Sequence, residues 1–265
     1  MSPTTTDSVR LALPKGRMQD SVQTLLADAG LAVRPGARSY RPDLPIAGFE
    51  TKLLKPQAVV HMLHAGTRDL GFAGADWVAE LGAELVELVD TGLDRVRLVA
   101  AAPAGFVRDG ALPRRPLVVA SEYERLAKDW ISRKGIDATF VRSWGATEVL
   151  PPEDADVVVD NTASGATLVA NGLAIVDELL ASSTRLYASP RALEDAGKRE
   201  RIETFALLVR SVLEARERVM VEVNVTAERL EAVCAALPCM REPTISRLHG
   251  DGGYAVRAAV RRSEL

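Results

Sequence analysis

Short apolar runs alternate with amphipathic stretches along most of the chain, and the switch between periods of two and 3.6 marks the elements. Val9 to Leu13 is an apolar run that ends in Pro14-Lys15-Gly16-Arg17, after which Met18, Val22, Leu25, Leu26 and Ala29 recur at helical spacing as far as Gly30. This pattern predicts a strand, a loop and a helix. Arg34 to Leu54, richer in Arg, Pro and Gly, predicts a hairpin with strand fragments at Leu44 to Ala47 and Phe49 to Leu54. A helix over Pro56 to His64, a buried strand over Asp69 to Ala73 and a helix over Ala75 to Leu81 follow. Glu84 to Asp90 and Val96 to Ala102 are predicted as two further strands, the second apolar enough to be buried on both faces.

Pro103 to Pro116 is rich in proline and glycine, which suits a crossing between lobes. The alternation then resumes, with strands at Leu117 to Ala120, Thr139 to Arg142 and Ala155 to Val159 and helices at Glu122 to Lys134 and around Ala146 to Leu150. Leu168 to Asn171 continues as a helix, Leu173 to Leu180 and Thr184 to Ala188 return as strands, and Pro190 opens a long helical stretch to Arg218. Alternation of this kind implies parallel strands linked by helices, an α/β fold. From Val219 the pattern changes to an alternating strand (VMVEVNV), a helix capped by Thr226, and a hairpin turning at Gly250 to Gly253, a βαββ order. A ferredoxin-like unit would add a second helix and a fourth strand.

With 265 residues, 47% of them hydrophobic, the chain can bury a substantial core. Charges nearly balance, at a formal net charge of −3, so no general nucleic-acid footprint is expected and anionic small molecules need a local site. Apolar stretches such as Val96 to Ala104 fall short of the roughly 20 residues that span a bilayer, so no membrane partner is expected. MSPTTTDSVR lacks a cationic segment followed by an apolar one and reads as a disordered lead-in, which places the protein in the cytoplasm. Cys234 and Cys239, in CAALPC, have no second pair or nearby histidines and read as buried reduced thiols.

The stretch VVVDNTASGATLVANGL carries the most chemistry. An apolar strand ends at Asp160 and gives way to Asn161, Thr162, Ala163, Ser164, Gly165, Ala166 and Thr167 before a helix. Free backbone N–H groups and hydroxyls at such a junction suit a tetrahedral anion, and an acid at the strand end can accept from ribose hydroxyls, so a sugar phosphate fits. An ordinary helix cap by Ser164 or Thr162 is the alternative on the residues alone. Lys15-Gly16-Arg17 places two cations at a strand-to-helix junction, suited to a polyphosphate or simply to solvent. Gly71-Phe72-Ala73-Gly74-Ala75-Asp76 allows close backbone approach, with Asp76 placed to cap a helix or accept from a ligand, and Asp94-Arg95-Val96-Arg97 points two arginines to one side of a strand.

Taken in order, these segments resemble the ATP phosphoribosyltransferase family, long form, which opens histidine biosynthesis. RLALPKGRM is similar to the family's first strand and loop, KPQAVVHMLHAGTRDLGFAGADWVAE to a segment ending in G-I-x-G-x-D, and LDRVRLVAAAP to the next buried strand. ASEYERLAKDWISRKGI and GATEVLPPEDADVVVD continue the match, and DNTASGATLVANGL resembles the phosphoribosyl-pyrophosphate loop D-x-x-x-T-G-x-T-L. NVTAERLEAVCAALPCMREPTISRL is similar to the start of the long form's regulatory domain.

The resemblance implies a two-lobed catalytic core folded like a type II periplasmic binding protein, followed by an incomplete ferredoxin-like C-terminal domain. The expected division is 1–105 with 178–216 as one lobe, 106–177 as the other, and 217–265 as a shortened regulatory-like domain. It further implies Mg²⁺-dependent attack of ATP N1 on phosphoribosyl pyrophosphate, releasing pyrophosphate, in a homo-oligomer, dimer or hexamer. Thr162, Ala163, Ser164, Gly165, Ala166 and Thr167 would hold the 5-phosphate and Asp160 the ribose hydroxyls. Arg17, with Lys15 and Gly16, would face pyrophosphate or ATP phosphates, and Gly74, Asp76 and Glu148 the nucleotide or its metal. Ser164 stands where threonine is commoner, Ala58-Val59 where Asp-Ile is usual, and Glu124-Arg125 where Pro-Asn is usual. These departures leave two alternatives: a related transferase acting on another heterocycle, or a non-catalytic nucleotide-sensing subunit.

Overall fold

The computed structural model describes residues 8–38, 40–107, 111–239, 242–250 and 252–264. Most of the expected lead-in, the middle of the 103–116 crossing, and part of the 250–253 turn lie outside them. The chain divides into two compact units, residues 1–207 and 208–265, with the division falling inside one helix.

The first unit is built on a mixed eight-stranded sheet. Its strands are β1 (Val9–Pro14), β4 (Phe49–Leu54), β5 (Leu70–Gly74), β6 (Val86–Pro103), β7 (Leu117–Ser121), β8 (Ala138–Arg142), β9 (Val157–Thr162) and β10 (Leu173–Ala188). The order is β4-β1-β5-β10-β6-β9-β7-β8. β4, β1 and β5 run parallel at one end, and β9, β7 and β8 run parallel at the other. Between them β10 and β6 pair antiparallel with each other and with their neighbours. A short antiparallel ribbon, β2 (Arg34–Arg38) and β3 (Arg41–Asp43), stands apart.

Helices follow the parallel strands: α1 (Gln19–Asp28), α2 (Pro56–His64), α3 (Ala75–Leu81), α4 (Glu124–Lys134) and α5 (Ala166–Ala170). The principal core joins strand residues such as Ala12, Ala73, Leu98, Val119 and Val159 to Val59, Val60 and Leu63 of α2 and Ala127 and Trp130 of α4. The start of β5 is pinned by charge as well as by packing. Asp69, nearly buried, accepts from the Arg10 backbone N–H at 2.7 Å, the Arg10 guanidinium at 2.9 Å and Lys198 at 3.1 Å, and these donors hold its carboxyl below the usual range against the cost of burial.

Several elements differ from the sequence-based expectation. The two strands expected at 84–90 and 96–102 are one long strand, β6, and those expected at 173–180 and 184–188 are likewise one, β10. The polar interruptions that read as loops are register shifts within the β6·β10 pair, which keeps the backbone groups paired. Leu44 to Ala47 forms no strand, and the 146–150 segment is only a 3-10 turn, Thr147–Val149, after a left-handed Ala146 at φ 47°. The long helical stretch breaks into α6 (Pro190–Glu194) and α7 (Ala196–Arg216), because the Asp195 side chain accepts from the Lys198 N–H at 3.0 Å and starts a new helix.

The second unit has the βαββ order read from the sequence. β11 (Arg218–Val225), α8 (Leu230–Ala236), β12 (Thr244–Arg247) and β13 (Tyr254–Arg261) form an antiparallel sheet in the order β11-β13-β12. Val256 and Val260 are its fully buried side chains. Cys234 and Cys239 are free thiols, and both are half-buried rather than enclosed.

Candidate active site

The carboxyl ends of both parallel strand sets open onto one cleft in the first unit. β1 leads to Arg17, β5 to Gly74 and Asp76, β7 to Glu122 and β9 to Asn161, and all five residues line a cavity of about 160 Å³. Ligands of open α/β sheets bind outside the carboxyl ends of the strands, where helix N-termini present free N–H groups and partial positive charge. Gln57, Trp77 and Glu122 also line an adjoining hollow of about 440 Å³ that carries Lys55, His61 and Arg142.

Arg17 is exposed, and among the described residues it has no ion-pair partner. Lys15 is held by Tyr40, donating to its hydroxyl at 3.2 Å and lying 4.3 Å from the ring centre. Gly16, with φ 84°, makes the turn between them. Arg17 therefore faces the cleft, whereas Lys15 and Gly16 are not among the residues lining it.

Asp76 is only 3% exposed, and both of its oxygens are engaged. Tyr123 donates to Oδ2 at 2.6 Å and Ser182 to Oδ1 at 2.8 Å, while the Asp76 N–H donates to the Ser182 hydroxyl at 3.0 Å. Asn161 in turn donates its amide to the Tyr123 hydroxyl at 2.8 Å. Burial and the Asp76 carboxylate keep the Tyr123 phenol protonated, and its ring stacks on Trp77 with centroids 4.6 Å apart. Gly74 is needed here because a Cβ would collide with the Asp76 carboxylate. Asp76 thus organises the wall of the cleft from within.

The loop after β9 turns its hydroxyls onto its own backbone, and of the stretch 160–167 only Asn161 is among the residues lining the cavity; Asp160, Glu148 and 162–167 are not. Thr162 accepts from the Gly165 N–H at 2.9 Å and Ser164 from the Ala166 N–H at 3.3 Å, so both hydroxyls brace the turn. Gly165 takes φ 82°, a left-handed conformation that glycine adopts without strain. Among the described residues the N–H groups of Ser164, Thr167 and Leu168 have no protein acceptor, and Ala163, Ser164, Ala166 and Thr167 are exposed. The braced turn therefore offers free donors at its rim.

Asp160 stands at the foot of this loop, its Oδ1 accepting from the Asn161 N–H at 2.7 Å. Burial pushes its carboxyl up to about 6, and the nearby Glu148 and Glu122 push the same way against that hydrogen bond. Glu148, on the Thr147–Val149 turn, thereby belongs to the electrostatic surroundings of Asp160. Sequence reasoning did not single out Tyr123, Trp77, Glu122, Asn161 or the Ser182-Ser183-Thr184 run as site residues. The last had a signal: three adjacent hydroxyls between two apolar strand segments.

The family described as ATP phosphoribosyltransferase (HisG) matches residues 55–211, and its C-terminal domain family matches residues 215–265. The ATP phosphoribosyltransferase of Chlorobium phaeobacteroides is 35% identical over 257 residues, covering 95% of this chain and 87% of that protein. This chain belongs to the ATP phosphoribosyltransferase family. The ATP phosphoribosyltransferase of Pelotomaculum thermopropionicum is 32% identical over 97% of the chain and 91% of its own length. A solved chain of the ATP phosphoribosyl transferase (HisG:HisZ) complex from Thermotoga maritima superimposes with a TM-score of 0.70 at 26% identity, covering 78% of this chain and 99% of that one.

Proposed function

We propose that this chain transfers the phosphoribosyl group of phosphoribosyl pyrophosphate to N1 of ATP, with Mg²⁺, as the first step of histidine biosynthesis in the cytoplasm. The observation that carries this reading is the family match along nearly the whole chain, joined to a cavity lined by Arg17, which has no ion-pair partner among the described residues, and by Asn161, the residue that leads into the donor-rich 162–167 loop. Residues 1–105 with 178–216 would form one lobe, 106–177 the other, and 217–265 a regulatory-like domain, in a homo-oligomer.

The N1 lone pair forms a bond to the anomeric carbon as the bond to pyrophosphate breaks, and pyrophosphate leaves with that electron pair. Positive charge builds on the ribose and negative charge on the leaving group, so positioning and electrostatics dominate. The 5-phosphate would take the free N–H groups at the rim of 162–167. Above a pH of about 6 Asp160 is ionised, accepts from the ribose hydroxyls and favours the cationic ribose. Arg17 would meet the pyrophosphate with Lys15 behind it, and Gly74 and Asp76 shape the nucleotide wall.

Among the described residues no group of three His, Cys, Asp or Glu side chains forms a metal cage. Mg²⁺ is commonly held by one or two carboxylates together with substrate phosphates and waters, and Asp160 with Glu148 or Glu122 suits that mode. When bound it supplies charge neutralisation on the pyrophosphate. Pyrophosphate release from phosphoribosyl pyrophosphate, Mg²⁺ and ATP tests the reading, with other heterocycles as parallel acceptors. ATP should be required, and Asp160→Ala should lower kcat/KM at least about 100-fold. Turnover with another heterocycle but not with ATP would overturn the assignment.

A further inference from the structure

Asp94 is a strained residue at the cleft that the reaction as described leaves without a role. It lies inside β6 with φ 48°, a left-handed conformation that a non-glycine residue adopts uncommonly. The β6·β10 register shifts at this point, with Val96 opposite Ser182 and Leu93 opposite Thr184, so Asp94 and Arg95 bulge out of the ladder. A bulge alone would form more easily with glycine, whereas here a carboxylate is held in it. Its Oδ2 accepts from the Ser21 hydroxyl at 2.7 Å and from the Thr184 hydroxyl at 2.7 Å.

Ser21 belongs to the first turn of α1, and its hydroxyl also lies 3.1 Å from the Met18 carbonyl. Among the described residues no side chain caps the N-terminus of α1, and the Ser21 hydroxyl ties this turn to Asp94 of β6, which Thr184 of β10 also holds. Arg17 immediately precedes that turn and lines the same cavity as Met18, Asp94 and Thr184. An exposed arginine with no ion pair keeps its rotamer freedom, so the placing of its backbone decides where its charge can reach.

We propose that Asp94 is a positioning residue that holds the first turn of α1 against β10 through Ser21 and Thr184, and so sets Arg17 to meet the pyrophosphate group. This rests on the assignment of Arg17 under the function proposed above. It adds a requirement that the family match does not state: the arginine reaches its target best while an acceptor side chain on another element holds its helix in place.

The test is a double-mutant cycle read by binding of inorganic pyrophosphate in calorimetry and by KM for phosphoribosyl pyrophosphate. Asp94→Gly keeps the left-handed backbone and removes the carboxylate; it should weaken pyrophosphate binding about tenfold, raise that KM comparably and leave KM for ATP within about twofold. Asp94→Asn, which tolerates the conformation and retains an acceptor, should recover most of the loss. In an Arg17→Ala background Asp94→Gly should change binding less than about twofold, because a residue acting through Arg17 has nothing left to act on. Additive losses, or an Asp94→Gly protein that binds pyrophosphate like wild type, would overturn the proposal. Ser21→Ala carries the same cycle if Asp94→Gly does not fold. Should wild type bind pyrophosphate without turning over ATP, the proposed function fails while the cycle still decides the role of Asp94.

Discussion

Asp160 combines two demands that pull its proton in opposite directions. Burial and two neighbouring carboxylates raise its carboxyl to about 6 in the folded state, whereas its proposed contact with ribose needs the ionised form. Between the ordinary carboxylate value and about 6 the folded state binds more protons than the unfolded one. Stability from this group is therefore greatest at low pH and declines as pH rises through that window. Wild type and Asp160→Asn should be equally stable near pH 4. By pH 7 the variant should be the more stable, by on the order of 1–3 kcal/mol in urea unfolding. A difference that does not change with pH would contradict the assignment. In wild type kcat/KM should rise with pH and level off above about 6. Asp160 and its loop were legible in the sequence because an acid at a strand end followed by Thr, Ser and Gly is local turn chemistry. Tyr123 was not, because a tyrosine before a helix looks the same whether its hydroxyl meets water or a buried carboxylate 47 positions away.

At the scale of elements, α3 and α4 meet across the cleft, each following a strand from a different parallel set. Glu80 on α3 accepts from the Arg125 and Leu126 N–H groups at 3.1 and 3.0 Å, capping α4 from outside where Tyr123 offers no cap of its own. A carboxylate at a helix N-terminus satisfies otherwise unpaired donors and meets the positive end of the dipole. Glu80→Ala should cost about 1–2 kcal/mol in denaturant unfolding, while Glu84→Ala, an exposed acid near the end of the same helix, should cost under about 0.5 kcal/mol. Equal effects would remove the capping role. The strand-loop-helix units were readable because period and punctuation are local. β6 and β10 were read as four strands because Thr91 to Arg95 and Ala181 to Ser183 resemble loop sequence, and only mutual pairing turns such residues into a continuous ladder.

For the molecule as a whole, the proposed ligand cleft is assembled from distant segments, so a ligand that binds there should stabilise the native fold by mass action. A phosphoribosyl pyrophosphate concentration of about 100 times its Kd should add about 2.7 kcal/mol to unfolding, visible as a rise in Tm of a few degrees. Arg17→Ala should lose most of that rise at the same concentration while keeping the unliganded Tm, since Arg17 is exposed. An unchanged ligand shift would place the pyrophosphate elsewhere. Among the described residues no helix is long and apolar enough to cross a membrane. By itself the sequence determined the α/β alternation, the βαββ order of the C-terminal unit, the Ser/Thr/Gly turn between β9 and α5 and the family, because hydrophobic period, turn residues and motif spacing are written in contiguous residues. Only the tertiary structure decided that Asp76 would be locked between Ser182 and Tyr123, 106 and 47 positions away, and that Asp94 would tie α1 to β10. A buried polar side chain takes whichever partner the packing of remote strands brings within hydrogen-bond reach, and no local pattern encodes that choice.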